Sequence, residues 1–178
     1  MSDLTGKTVA IIATDFFEEA ELVKPRDALR DAGAEVKIYS TGSDPIQAVE
    51  GDTTPTQKVE VDGTLDDLDV SAVDAVVVPG GTVNADRIRI EERAQQIVRA
   101  TLEGGKPLAV ICHGPWLLVS AGLADGRRLT SYHSLADDVR NAGGTWVDEE
   151  VVVDGTLITS RDPDDLPAFI KALEDALA

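Results

Sequence analysis

The stretch that decides the fold is Lys106-Pro107-Leu108-Ala109-Val110-Ile111-Cys112-His113-Gly114-Pro115-Trp116-Leu117. Its first half is a short apolar run, which predicts a fully buried strand over Lys106 to Ile111. Gly114 frees the backbone to turn, and Pro115 suits the first turn of a helix. That helix is expected to run through Trp116, Leu117, Val119 and Ala121 to Gly122. Cys112 therefore sits at the carboxyl end of a buried strand, on a sharp turn into a helix.

The same alternation recurs on both sides. Lys7 to Ala13 reads as a buried strand, Glu19 to Ala32 as a helix stopped at Gly33, and Glu35 to Tyr39 as a second strand. Thr41 to Lys58 is polar and rich in Gly, Pro and Thr, which predicts a loop with an edge hairpin, to which Val59 to Asp62 adds a short piece. Val73 to Val78 is a further buried strand that runs into Pro79-Gly80-Gly81. Ala94, Ile97, Val98, Thr101 and Leu102 then mark one helical face, closed by Gly104-Gly105.

Leu129 to Ser131 is strand-like, Leu135 to Ala142 helical, and Trp146 to Val153 a strand that turns at Asp154-Gly155 into Thr156 to Ser160. The last helix has Asp162 as N-cap and Pro163 at its first position, followed by Phe169, Ile170, Leu173 and Leu177. Strands alternating with helices imply right-handed βαβ units in an α/β fold, with a doubly wound, mostly parallel sheet covered by helices on both faces. Ligand sites in such folds lie at the carboxyl ends of the strands. Here those ends carry Thr14 to Glu21, Gly80-Gly81 and Cys112.

A length of 178 residues fits one domain spanning 1–178. With 16 basic against 33 acidic residues the net charge is −17, a field that repels phosphate backbones and anionic lipid surfaces, so no nucleic-acid or membrane partner is expected. The segment Met1-Ser2-Asp3-Leu4-Thr5 has no basic n-region, and the uncharged stretch Pro107 to Ala124 is broken by Pro107, Gly114, Pro115 and Gly122. The sequence thus predicts a cytoplasmic protein. With Cys112 as the only cysteine there is no internal disulfide and no multi-cysteine metal site. Neither a Walker sequence nor a G-x-G-x-x-G occurs, so no cofactor is expected.

Cys112 is either a structural thiol at the end of a core strand or a nucleophile lifted from the sheet and aimed over a helix N-terminus that lowers its pKa. His113 is a base for that thiol or a histidine that hydrogen-bonds the backbone, since neighbours in sequence need not meet in space. In Phe17-Glu18-Glu19-Ala20-Glu21-Leu22 the carboxylates suit a helix start, and Glu21 is the one placed to be held protonated beside the thiol. Gly80 and Gly81, with the Gly114 or His113 amide, are candidate oxyanion donors.

Together, Phe17-Glu18-Glu19-Ala20-Glu21-Leu22, Val78-Pro79-Gly80-Gly81, Ala109-Val110-Ile111-Cys112-His113-Gly114-Pro115 and Thr130-Ser131-Tyr132 resemble the PfpI intracellular-protease family of the DJ-one/PfpI superfamily. The resemblance runs from about Lys7 to the last helix. It implies a flavodoxin-like α/β sandwich, a nucleophile at Cys112, a glutamate at Glu21 bonded to the thiol, and homodimers or higher homo-oligomers. It also implies that Tyr132 lines the pocket, and Glu18 is grouped with the binding residues. In peptidase-like members the counterpart of His113 acts with the cysteine, and a glutamate from the neighbouring subunit completes a triad. Asp86 stands at that position, one methylene shorter, and reads equally as a first-turn helix carboxylate capped by Asn84. His133 has no firm counterpart and is given a rim role or a part in metal binding or acid–base help.

Members of the family include cysteine peptidases, glyoxalase III-type enzymes, deglycases and stress or chaperone proteins. The leading expectation is a stress-response cysteine enzyme that acts through Cys112 on reactive dicarbonyls or their protein adducts. Two alternatives stand beside it. One is a peptidase or amidase with a Cys112-His113-Asp86 site shared across subunits, and the other is a redox sensor or chaperone in which Cys112 is oxidised.

Overall fold

The computed structural model describes residues 3–178. In chain order its strands are β1 (Thr8–Ile12), β2 (Phe17–Glu18), β3 (Glu35–Ser40), β4 (Ile46–Glu50), β5 (Thr54–Val59) and β6 (Gly63–Thr64). These are followed by β7 (Ala75–Val78), β8 (Leu108–Ile111), β9 (Arg128–Leu129), β10 (Thr145–Trp146), β11 (Val152–Asp154) and β12 (Leu157–Ser160). The helices are α1 (Glu19–Asp31), α2 (Thr82–Ile88), α3 (Glu92–Glu103), α4 (Pro115–Ser120), α5 (Ala136–Asn141) and α6 (Leu166–Leu177).

Seven strands form the main sheet in the order β11-β12-β8-β7-β1-β3-β6. All neighbours are parallel except the β11–β12 hairpin. The strand order reverses after β1, so chain segments leaving β1, β7 and β8 meet at one edge of the sheet, the crevice where doubly wound folds place ligands.

The three central strands are buried, save the first residue of β1, because both of their faces are covered. Alternate residues of β1 divide between two cores, Val9 and Ile11 in one and Ala10 and Ile12 in the other. β8 divides in the same way, Ala109 and Ile111 against Leu108 and Val110. The first core is closed by Leu22 and Leu29 of α1 and Phe169, Leu173 and Leu177 of α6. The second is closed by Ile97 and Val98 of α3 and Leu117 and Leu118 of α4. A strand with no solvated side has no polar alternation to show, which is why these segments read as continuous apolar runs.

Three details refine or depart from the sequence reading. Trp146 to Val153 is not one strand: Trp146 pairs with Leu129 in a separate two-stranded sheet, and pairing on the main sheet resumes at Val152. The edge hairpin expected after β3 is present as antiparallel β4 and β5, and it also pairs with β2, which the sequence did not show. Finally, α2 is a full helix that begins directly after Gly81. No helix among the described residues is long and apolar enough to cross a membrane.

Candidate active site

Cys112 follows β8 with φ +63°, in the left-handed region that non-glycine residues seldom occupy. Strain of this kind costs on the order of 1–3 kcal/mol and persists only where the surroundings fix it. Both sides of the residue are held: its N–H donates to the Ser160 carbonyl at 3.1 Å, and its carbonyl accepts from the Tyr132 N–H at 2.8 Å. The turn brings the next residue's ring back beside the thiol, with Cys112 Sγ and His113 Nδ1 3.2 Å apart. The doubt over two sequence neighbours meeting in space is resolved by this one backbone angle.

The thiol is only 6% exposed. Burial pushes its pKa up, the nearby Glu21 charge adds to the rise, and the Gly81 and His113 amides oppose it. Removal of the sulfur from water is the largest of these influences. α4, the helix after this turn, is six residues long. Cys112 is thus a thiol that needs a base, and His113 Nδ1 is in place to be one. Burial holds His113 below its ordinary pKa, with Asp52 opposing that fall and His133 adding to it. A neutral imidazole is the form that accepts a proton.

Glu21, in the first turn of α1, has no exposed surface. One carboxyl oxygen, Oε2, accepts from the Gly80 N–H at 2.7 Å, whereas Oε1 is buried without a partner among the described residues. Burial pushes its pKa up to about 8, against the lowering effect of the Gly80 amide and the Cys112 thiol. At neutral pH Glu21 is therefore mostly protonated, with a minor ionised fraction. Gly80 is glycine for want of space: a Cβ there would lie 2.5 Å from Glu21 Oε2 and 2.7 Å from Cys112 Cβ.

Two of the amides expected as oxyanion donors are already engaged. The Gly80 N–H is bonded to Glu21, and the Gly114 N–H donates to the Ile111 carbonyl at 2.9 Å. The Gly81 and His113 amides are the ones that face the sulfur. Tyr132 stacks on the His113 ring at 4.7 Å between centroids, and the exposed His133 lies beyond it, 4.4 Å from the tyrosine ring. Trp116 also meets the His113 ring, edge-on at 5.3 Å.

Asp86 is exposed on α2 and is not a hydrogen-bond partner of His113 among the described residues. It is not in the first turn, and Asn84 is no cap. Asn84 is fully buried, accepts from the Thr14 N–H at 2.6 Å, and donates to the carbonyls of Pro79 and Gly80 at 3.2 and 2.9 Å. It thereby ties α2 to the ends of β1 and β7.

The sequence reading missed Asp52 and Thr82. Gly51 and Asp52, at the β4–β5 turn, both have positive φ, 61° and 65°. Their N–H groups each donate to the Glu18 carboxylate at 3.1 Å. That places the Asp52 carboxylate against α2, where it accepts from Thr82 N at 2.8 Å and Thr82 Oγ1 at 2.9 Å. The only sequence signal was a Gly-Asp pair inside a polar stretch. A pocket of about 240 Å³ opens over the sulfur, lined by Glu18, Glu21, Asp52, Cys112, Tyr132 and Pro163 among others. No group of three or more His, Cys, Asp or Glu side chains among the described residues is arranged to hold a metal ion.

The sequence matches the DJ-1/PfpI family over residues 7–176. The chain belongs to that family. Among its DJ-1/PfpI relatives is the Pyrococcus furiosus protein named Deglycase PfpI, 41% identical over 92% of this chain and 95% of that one. Another is General stress protein 18 of Bacillus subtilis, 40% identical over 92% of this chain and 94% of the relative. Among solved DJ-1/PfpI structures, Drosophila melanogaster DJ-1beta superposes with a TM-score of 0.86 at 31% identity, covering 99% of this chain and 91% of that one. The flavodoxin-like arrangement expected from the sequence is thus the fold of this family.

Proposed function

We propose that the protein is a stress-defence cysteine enzyme that converts reactive dicarbonyls such as methylglyoxal, or their early protein adducts, through Cys112. The observation that carries this reading is Glu21. A thiol with its own base at 3.2 Å is sufficient for nucleophilic attack. Rearrangement of a dicarbonyl needs a second acid–base group to move a proton between two adjacent carbons. A buried carboxyl whose pKa is pushed to about 8 beside the sulfur is suited to that task near neutrality. The names borne by family relatives, deglycase and stress protein, agree with it.

In the proposed cycle His113 Nδ1 takes the Cys112 proton as sulfur attacks the aldehyde carbon. The C–S bond forms, and the carbonyl electron pair moves to oxygen, where the Gly81 and His113 amides receive it. The imidazolium returns its proton to that oxygen, giving a hemithioacetal. Glu21, in its ionised form, removes the C1 proton to give an enediolate, the C1 hydroxyl proton passes to the C2 oxygen, and Glu21 returns its proton to C2, leaving a thioester of the 2-hydroxyacid. Water attacks the thioester, the C–S bond breaks, and lactate leaves with Cys112 again a thiol. The net change is methylglyoxal plus water to lactic acid, with no external oxidant or reductant. The pocket of about 240 Å³ is of a size for such a small carbonyl.

The test is lactate formation from methylglyoxal by the purified protein in buffer free of Tris and added thiols, beside Cys112→Ser and Glu21→Gln. The expected result is no lactate from Cys112→Ser. Glu21→Gln is expected to form lactate at less than about one hundredth of the parent rate while still reacting with iodoacetamide at Cys112. Full turnover by Cys112→Ser contradicts the reading.

A further inference from the structure

We infer that Asp52 and Thr82 are positioning residues that select the tautomer of His113 from within the same chain. This rests on the reading of His113 as the base for Cys112, and it adds two residues to that site. The argument is a chain of single protons. An ionised carboxylate only accepts, so Thr82 Oγ1, 2.9 Å from Asp52 Oδ2, must spend its one hydroxyl proton on Asp52. What Thr82 Oγ1 then offers His113 Nε2, at 3.3 Å, is a lone pair. Nε2 must therefore carry the ring proton of the neutral imidazole. That leaves Nδ1 bare, facing Cys112 Sγ at 3.2 Å and free to accept the thiol proton.

The geometry around these groups is built rather than incidental. Asp52 is held in a left-handed conformation by its own N–H on Glu18, and its second carboxylate oxygen, Oδ1, is fixed by the Thr82 N–H at 2.8 Å. The ring is packed against both Tyr132, stacked, and Trp116, edge-on. The ionisable groups that face it are Cys112, Asp52 through Thr82, and His133 beyond Tyr132. When His113 takes the thiol proton, the Asp52 charge stands behind the imidazolium that forms. This is the role of a triad carboxylate with a threonine hydroxyl interposed. It places such a carboxylate within one protomer, whatever Asp86 does between protomers.

Asp52→Asn reverses the chain. Its carbonyl oxygen must stay on the Thr82 N–H, so its amide N–H2 faces Thr82 Oγ1 and donates to it. The threonine hydroxyl then turns to donate to Nε2, and the ring proton moves to Nδ1, aimed at the sulfur. The decisive experiment is nitrogen NMR of the full chain labelled at histidine. The chain has two histidines, and His133→Gln assigns the second. The parent protein is expected to hold the His113 proton on Nε2, and Asp52→Asn to move it to Nδ1. Alkylation of Cys112 by iodoacetamide, which needs no knowledge of the substrate, is expected to slow at least about tenfold in Asp52→Asn and in Thr82→Val.

Thr82→Ser, which restores the hydroxyl without the methyl, is expected to recover most of the rate that Thr82→Val loses. If Thr82 served only packing, Val would be harmless and Ser the damaging change. A parent His113 protonated on Nδ1, or an Asp52→Asn protein with unchanged tautomer and alkylation rate, overturns the inference. Absence of lactate from a protein that passes these tests defeats the dicarbonyl reading and leaves the relay standing.

Discussion

At the scale of single residues the site is governed by what burial does to protons. Glu21 has an ordinary carboxylate pKa when unfolded and one near 8 when folded, so the folded state binds the extra proton between these values. The associated stability is fully present below about pH 4.5 and is lost as pH rises through about 8. Glu21→Gln keeps an acceptor for the Gly80 N–H and has nothing to titrate. Denaturant unfolding across this range is expected to show the parent losing on the order of a few kcal/mol relative to Glu21→Gln as pH rises. Parallel curves for the two proteins would show that Glu21 has no such raised pKa. The sequence disclosed Glu21, Cys112 and His113 because each lies at the end of a legible element. It did not disclose that the thiol's pKa is raised, since desolvation depends on what packs above the sulfur and not on where the sulfur sits in a strand.

Among the elements, α2 and the β4–β5 hairpin do most to complete the site, and the sequence showed them only in outline, as an edge hairpin within a polar stretch and a helix start placed late, at Asn84 rather than Gly81. β1, β7 and β8 were legible as apolar runs, and the turns after them were marked by glycine and by Pro115. The hairpin is almost wholly polar and exposed along β5, so no periodicity separated it from a loop. α2 is seven residues long, too short to show an apolar face. Its anchor is Asn84, whose carboxamide joins it to Thr14, Pro79 and Gly80. Asn84→Ala strands the buried Thr14 N–H and the Pro79 carbonyl, and is expected to destabilise the protein by about 2–4 kcal/mol, at 1–3 kcal/mol for each unsatisfied buried group. It should also slow Cys112 alkylation, because Gly80 and Thr82 lose their register on the thiol. A melt unchanged within about 0.5 kcal/mol would remove Asn84 from this role.

Over the whole molecule, a net charge of −17 on 178 residues means a compact state that repels itself. Most of its ion pairs are exposed and worth little, so they do not offset the surplus. Raising sodium chloride from about 0.05 to 1 M shortens the screening length to roughly 3 Å and is expected to raise the melting temperature by several degrees. A flat or falling salt dependence would show that the acidic groups are already compensated. The same field bears on the chemistry, since Glu18 and Asp52 at the pocket mouth favour neutral or cationic electrophiles over carboxylated ones. The proposed function joins fold and site through a covalent cycle on one sulfur, and its most direct test is to quench the protein during incubation with methylglyoxal and weigh the peptide that carries Cys112. The expected result is a single adduct of one methylglyoxal on Cys112 that forms and decays in step with lactate release, and that persists in Glu21→Gln. Lactate released with Cys112 unmodified at every time point, in both proteins, would contradict the account.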